Sequence, residues 1–216
     1  MQPVINEPPP PLRIVEALLK SPADLLRAAR TRPDAMLGLG AVVAVTMLVN
    51  GLVLAAFGGG LQFLWVPVKL SLGIFLCALI CLPSLHIFSC LSGAQQSLRD
   101  TAAALLMGVA LMSLILVGFA PIAWLFSQAT SSAAFMGGLH LTFLGVSIAF
   151  GTRLVSRAMG ALNEQRIRGV GWWTVIFTLV VLQMTTTLRP LLGPADNAVL
   201  HGKLFFVTHW LGTFNG

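Results

Sequence analysis

Apolar positions gather into five long runs along the chain, separated by short polar stretches. The runs cover about residues 35–57, 62–90, 101–126, 132–155 and 170–191. Each exceeds the roughly 18 residues that mark a membrane span and is long enough, at 1.5 Å per residue, for a hydrocarbon core about 30 Å thick. Residues 1–33 differ. The first ten are proline-rich and extended in character. Residues 11–32 have helical amphipathic spacing in two pieces, with Leu25, Leu26 and Ala29 on one face and Arg27, Arg30 and Arg32 elsewhere. The break falls at Ser21-Pro22, where serine suits an N-cap, proline the first helical position and Asp24 the first turn. Pro33 ends the second piece. Such a segment is expected on the cytoplasmic membrane surface, its arginines toward lipid headgroups or a partner. After the last run, residues 192–216 carry Leu200, Leu204, Val207 and Leu211 at helical spacing, which fits an outer-side interfacial helix or a cap on the bundle.

Composition agrees. Of 216 residues, 56% are hydrophobic and 9% charged, and the mean hydropathy is +0.88. Soluble domains carry about 25% charged residues. The expected fold is all-α, a polytopic bundle of five transmembrane helices at 34–191. The N-terminus lacks an early apolar core and a cleavage site, so the first span is expected to serve as a retained insertion signal. The net charge of +6 carries no recognised nucleic-acid motif.

The placement of that charge sets an orientation. Arg13, Lys20, Arg27, Arg30 and Arg32 precede the first span, Arg99 lies in the second loop, Arg153, Arg157, Arg166 and Arg168 lie in the fourth, and Arg189 and Lys203 lie in the tail. The loops "GGGLQ" and "SQATSS" have no basic residue. This alternation predicts the N-terminus inside and the C-terminus outside. Trp65 and Trp124 then fall at the outer interface and Trp172 and Trp173 at the inner one, as an aromatic belt would place them.

Two stretches carry a family resemblance: the arginine-containing entry "KSPADLLRAARTRPDAMLGLG" and the later "LSGAQQSLRDTAAALLMGVALMSLILVGFAPIAWL", a small polar loop followed by a span with a late proline. Over roughly residues 20–190 the pattern resembles the Yip1-domain family of five-span membrane proteins. The acidic-aromatic-Gly-Pro signature of its eukaryotic members is missing, and the chain has no tyrosine. The resemblance implies a non-enzymatic protein of a bacterial-type inner membrane that organises partners or lipids. It transfers no residue role.

The residues that could carry chemistry sit in the outer half. Lys69 lies about 10 Å into the bilayer when counted from Gln62 at 1.5 Å per residue. A lysine there either snorkels to the headgroups or lines a cavity. His140 has a similar depth, and Gln183 and Arg189 of the fifth run join them. Together they suggest a polar vestibule able to hold an anion or a lipid headgroup. The spans contain no Asp or Glu, so a counter-charge would come from outside the bundle. The opposing reading is structural: His140 shares a face with Ala133, Gly137, Ser147 and Gly151, a stripe for close helix packing. Pro67, Pro83 and Pro121 are expected to kink their helices and open space.

Cys77, Cys81, His86 and Cys90 share one helix, so they fan over different faces and cannot surround a tetrahedral ion. No metal or cofactor is expected, and no catalytic motif appears. The sequence thus leads to an accessory, assembly or scaffold subunit bound to membrane lipids and to other membrane subunits or further copies of itself. The alternative is a small transporter or anion-binding protein using Lys69, His140, Gln183 and Arg189.

Overall fold

Two prolines shape the entry to the bundle. Helix α1 spans Pro11–Lys20, α2 Pro22–Thr31 and α3 Pro33–Gly58. Pro22 and Pro33 each sit at the start of a helix, where the missing N–H is no loss. Arg32 between them is extended, at φ −114° and ψ 122°, the conformation a following proline favours. Ser21 occupies the expected N-cap position, without a side-chain capping bond.

Four further helices follow: α4 (Gln62–Leu91), α5 (Leu98–Ala129), α6 (Ala133–Asn163) and α7 (Val170–Thr187). This computed structural model describes residues 11–58, 62–130, 133–163 and 169–187. The leader at 1–10, Arg189 and the tail at 192–216 lie outside the described residues. Every element among the described residues is an α-helix. Four of them, α3 to α6, are long and apolar enough to cross a bilayer. The apolar part of α7 covers Val170–Met184, about 22 Å at 1.5 Å per residue and short of the roughly 30 Å core.

The α4–α5 connection is built from two capping devices. Gly93 is left-handed, at φ 86°. Its N–H donates to the Cys90 carbonyl at 3.0 Å, and the Ala94 N–H donates to the Ser89 carbonyl at 3.1 Å. That is the Schellman arrangement, which satisfies the last carbonyls of α4 and needs glycine at the turn. Four residues on, Ser97 and Asp100 form a reciprocal capping box that starts α5.

Helix α5 is the hub. It packs on α3, α4 and α6, and α2 reaches its first turns. Half of its membrane-length stretch is buried, against 33% for α3 and α6 and 28% for α4. Its inner face is built of small residues, including Ala103, Ala104, Gly108 and Ala110. Lipid tails are as apolar as leucine, so such helices associate through close packing rather than hydrophobic exclusion. At the α5–α6 crossing a Cβ on Gly108 would lie 2.8 Å from the Gly151 carbonyl oxygen and would collide with Val155. A Cβ on Gly151 would lie 2.7 Å from the Gly108 carbonyl oxygen. Helices α3 and α5 are also joined by a hydrogen bond, Thr46 Oγ1 to Ser113 Oγ at 2.8 Å.

Three expectations change. Pro67 and Pro83 lie inside α4 and Pro121 inside α5, the positions at which kinks are expected. Pro67 does not open space; it is buried, and its backbone fills the place a Gly51 side chain would take. Trp173 is wholly buried rather than part of a belt. It stacks on Phe177 at 5.1 Å and donates its indole N–H to the Cys81 carbonyl at 3.0 Å, fixing α7 to α4. Trp65, Trp124 and Trp172 are exposed, as expected. Finally, α6 continues eight residues past position 155 because no helix breaker intervenes. Its run of charge marked the end of the apolar stretch, not of the helix.

The amphipathic segment is part of the fold. Ile14, Leu18, Leu25, Leu26 and Ala29 are buried in one continuous core with side chains of α3 to α7. Helices α1 and α2 pack on α3, and α2 on α5. Their apolar stripe covers the arginine-rich end of the bundle.

Candidate functional site

The outer-half residues singled out from sequence come first. Lys69 is half-buried on α4 and makes no hydrogen bond or ion pair among the described residues. His140 is half-buried on α6, and its Nε2 is shut from solvent without a hydrogen-bond partner. Ser71 Oγ, two residues from Lys69, is in the same condition. A polar atom of this kind in an apolar setting is costly and calls for an explanation. Gln183 is half-buried near the described end of α7. No hydrogen bond joins Lys69 to His140. The helices that carry them have different main partners, α4 packing on α3 and α7, and α6 on α5. Two aromatic contacts bracket His140 along the α5–α6 seam. Phe119 stacks on Phe143 at 4.4 Å, and Phe126 tilts against Phe135 at 5.6 Å.

The other end of the bundle carries a connected polar network. Arg30 Nε donates to Asp100 Oδ1 at 2.6 Å and Nη2 to Oδ2 at 3.4 Å, linking α2 to the first turn of α5. The Asp100 side chain is only 13% exposed, so this pair is better shielded than a surface ion pair. The same carboxylate accepts the Ser97 N–H at 3.2 Å. One residue on, Thr101 Oγ1 is 3.1 Å from His86 Nδ1 of α4 and accepts from Gln96 Nε2 at 3.2 Å. Asn163, the last residue of α6, donates to Gln96 Oε1 at 2.6 Å. Cys90 Sγ lies 3.7 Å from His86 Nε2. Four helices and one loop are thereby tied together at one level.

The three arginines assigned to the membrane surface or a partner, Arg27, Arg30 and Arg32, are all exposed. Arg27 pairs with Asp24 one turn earlier at 3.3 Å, both side chains more than two-thirds exposed. Arg30, still 42% exposed at its side chain, reaches across to Asp100 of α5. Sequence reasoning did not single out Asp100, Gln96, Thr101 or Asn163, and it weighed His86 only as a metal ligand. The Ser97–Asp100 spacing is a readable capping signal. Nothing local announces that Arg30 will meet a carboxylate 70 positions away.

Where α7 lies over the glycine crossing there is a small gap of about 10 Å³, lined by Leu105, Gly108, Met112, Gly151, Trp173 and Phe177 among others. It is at the lower limit for one water, and its walls are apolar. The one hydroxyl in its lining, Thr152 Oγ1, already donates to the Ile148 carbonyl at 2.8 Å. This is a packing gap rather than a ligand site. Among the described residues no group of three or more His, Cys, Asp or Glu is placed to hold a metal ion.

Compared with protein-family models, curated proteins and solved structures, the chain matches none of them.

Proposed function

We propose that the chain is a non-enzymatic, multi-pass membrane protein that serves as an accessory, assembly or scaffold subunit, binding partner proteins and lipids. One observation carries the reading: at the arginine-rich end, polar groups of four helices and one loop hold those elements to one another. Of the four described carboxylates, Asp100 pairs across helices with Arg30, while Glu16 and Asp24 pair within their own helices. His86, Gln96, Thr101 and Asn163 bond among themselves, and the middle of the outward face of α4 carries the apolar side chains Leu72, Leu76, Leu79 and Ile80.

In this reading the apolar run at about 170–191 is the fifth span. The N-terminus is inside and the C-terminus outside a bacterial-type inner membrane. The alternation of arginine between loops supports that orientation, and the Yip1-domain-like arrangement rests on the sequence pattern. A direct test deletes the chain from its host and quantifies the membrane proteome. Loss of one other membrane protein, orphaned and degraded, is the expected outcome. An unchanged proteome, together with solute flux or turnover by the purified chain alone in liposomes, overturns the proposal.

A second reading is favoured by His140 Nε2 and by the unpaired Lys69: a small transporter or anion-binding protein with an outer-half site. It requires that Lys69→Met abolish uptake of a probe anion such as inorganic phosphate into proteoliposomes while the bundle stays folded. Equal uptake by variant and wild type removes it.

A further inference from the structure

Helix α6 presents one unpartnered face along its second half. Its opposite face, with Ile148, Gly151, Thr152, Val155 and Met159, is buried in the bundle. The outward face carries Val146, Ala149, Phe150, Arg153, Ser156 and Arg157, all exposed. These positions recur at three- and four-residue steps and therefore form one stripe. The stripe changes character along its length: apolar as far as Phe150, cationic and hydroxylic from Arg153 on.

We infer that Arg153, Ser156 and Arg157 form a binding site for the phosphate of an anionic phospholipid, with an acyl chain lying along Phe150, Ala149 and Val146. Two arginines four residues apart on one face repel each other, and no carboxylate among the described residues pairs with either of them. Neither makes a hydrogen bond or ion pair among the described residues. Glu16, Asp24 and Asp100 are committed to Lys20, Arg27 and Arg30, and Asp34 lies in the first turn of α3. A bound anion would offset that repulsion. Guanidinium groups suit a phosphodiester because each can give two parallel hydrogen bonds, and the Ser156 hydroxyl adds a donor between them.

Depth argues for a lipid rather than a free anion. The 31 residues of α6 measure about 46 Å, exceeding the hydrocarbon core by about 16 Å. With the excess shared between the two ends, Arg157 reaches the hydrocarbon boundary and Arg153 lies one turn deeper. The Arg153 guanidinium rests over the Phe150 ring, 5.8 Å from its centroid, at the junction where a headgroup meets its acyl chains. A soluble anion would leave the apolar half of the stripe unused.

The inference uses the membrane reading of the chain and needs no partner protein, so its failure is separable from that of the proposed subunit role. The test titrates purified protein in detergent with phosphatidylglycerol and with phosphatidylcholine, counting retained lipids by native mass spectrometry. Wild type is expected to retain phosphatidylglycerol with a preference of about tenfold, the size of one charge-assisted contact. Arg153→Gln/Arg157→Gln loses the preference. Arg13→Gln/Arg99→Gln, with the same change in net charge and both positions exposed, keeps it. Both double variants replace exposed side chains, so unchanged melting temperatures establish that they are folded. Equal preference in the α6 double variant, or equal loss in the control, overturns the site. So does displacement of the lipid by a polypeptide whose binding depends on Arg153 and Arg157, which would make this face a protein interface.

Discussion

Asp100 serves two structures with one carboxylate. It completes the cap of α5 by accepting from the Ser97 N–H, and it receives Arg30 from α2. Asp100→Ala removes both. It should destabilise the protein by about 1–3 kcal/mol, the combined scale of a lost cap and a lost charged hydrogen bond. Asp24→Ala breaks only an exposed pair within α2 and should change stability by less than about 0.5 kcal/mol. Thermal unfolding of both variants in the same detergent checks the contrast; equal losses would mean that Arg30 and Asp100 are not coupled. The capping half of this arrangement was legible in "SLRD" because capping is local. The ion-pair half was not, because it depends on how two distant helices meet. Lys69 and His140 show the reverse: their unusual positions were plain in the sequence, but depth in the membrane does not say which helices touch.

Glycine substitutions separate the energetics of individual helices. Gly108 and Gly151 sit where two backbones touch, so Gly108→Ala and Gly151→Ala should each cost about 1–3 kcal/mol through overpacking. Gly118 is on the same helix as Gly108, with open space where a Cβ would go. There alanine should be neutral or stabilising by up to about 1 kcal/mol, because it removes only backbone freedom. Denaturant titration of the three variants reads the difference. A stabilising Gly108→Ala would contradict the crossing geometry. At this scale the sequence was informative about where helices run, since apolar runs and prolines mark them strongly. It misjudged the roles of Trp173 and Pro67. A tryptophan near a span end satisfies a membrane interface and a packed core equally well, and a proline packs as readily as it kinks when glycine faces it. The small-residue stripe of α6 was legible as a packing face, though its partner, α5, was not.

Across the whole molecule, the arginine-rich end is closed by the amphipathic segment and tied by hydrogen bonds, while the helix sides remain apolar. An amphipathic stripe says that something apolar will cover it. Bilayer and bundle end are equally apolar to the sequence, and only the fold distinguishes them. Cysteine chemistry tests the arrangement. Cys77 and Cys81 are buried in the bundle and Cys90 is exposed near the arginine-rich end. A membrane-impermeant maleimide should therefore label Cys90 alone, in inverted vesicles and not in intact spheroplasts. Labelling of Cys77 at the same rate would contradict the packing, and labelling from outside would reverse the proposed orientation. The central claim concerns what the bundle is for, and native mass spectrometry of the protein, extracted gently from its own membranes, tests it most directly. The account predicts a complex in which this chain accompanies other membrane subunits in fixed ratio. A lone protomer, active in transport or catalysis without any partner, would contradict it.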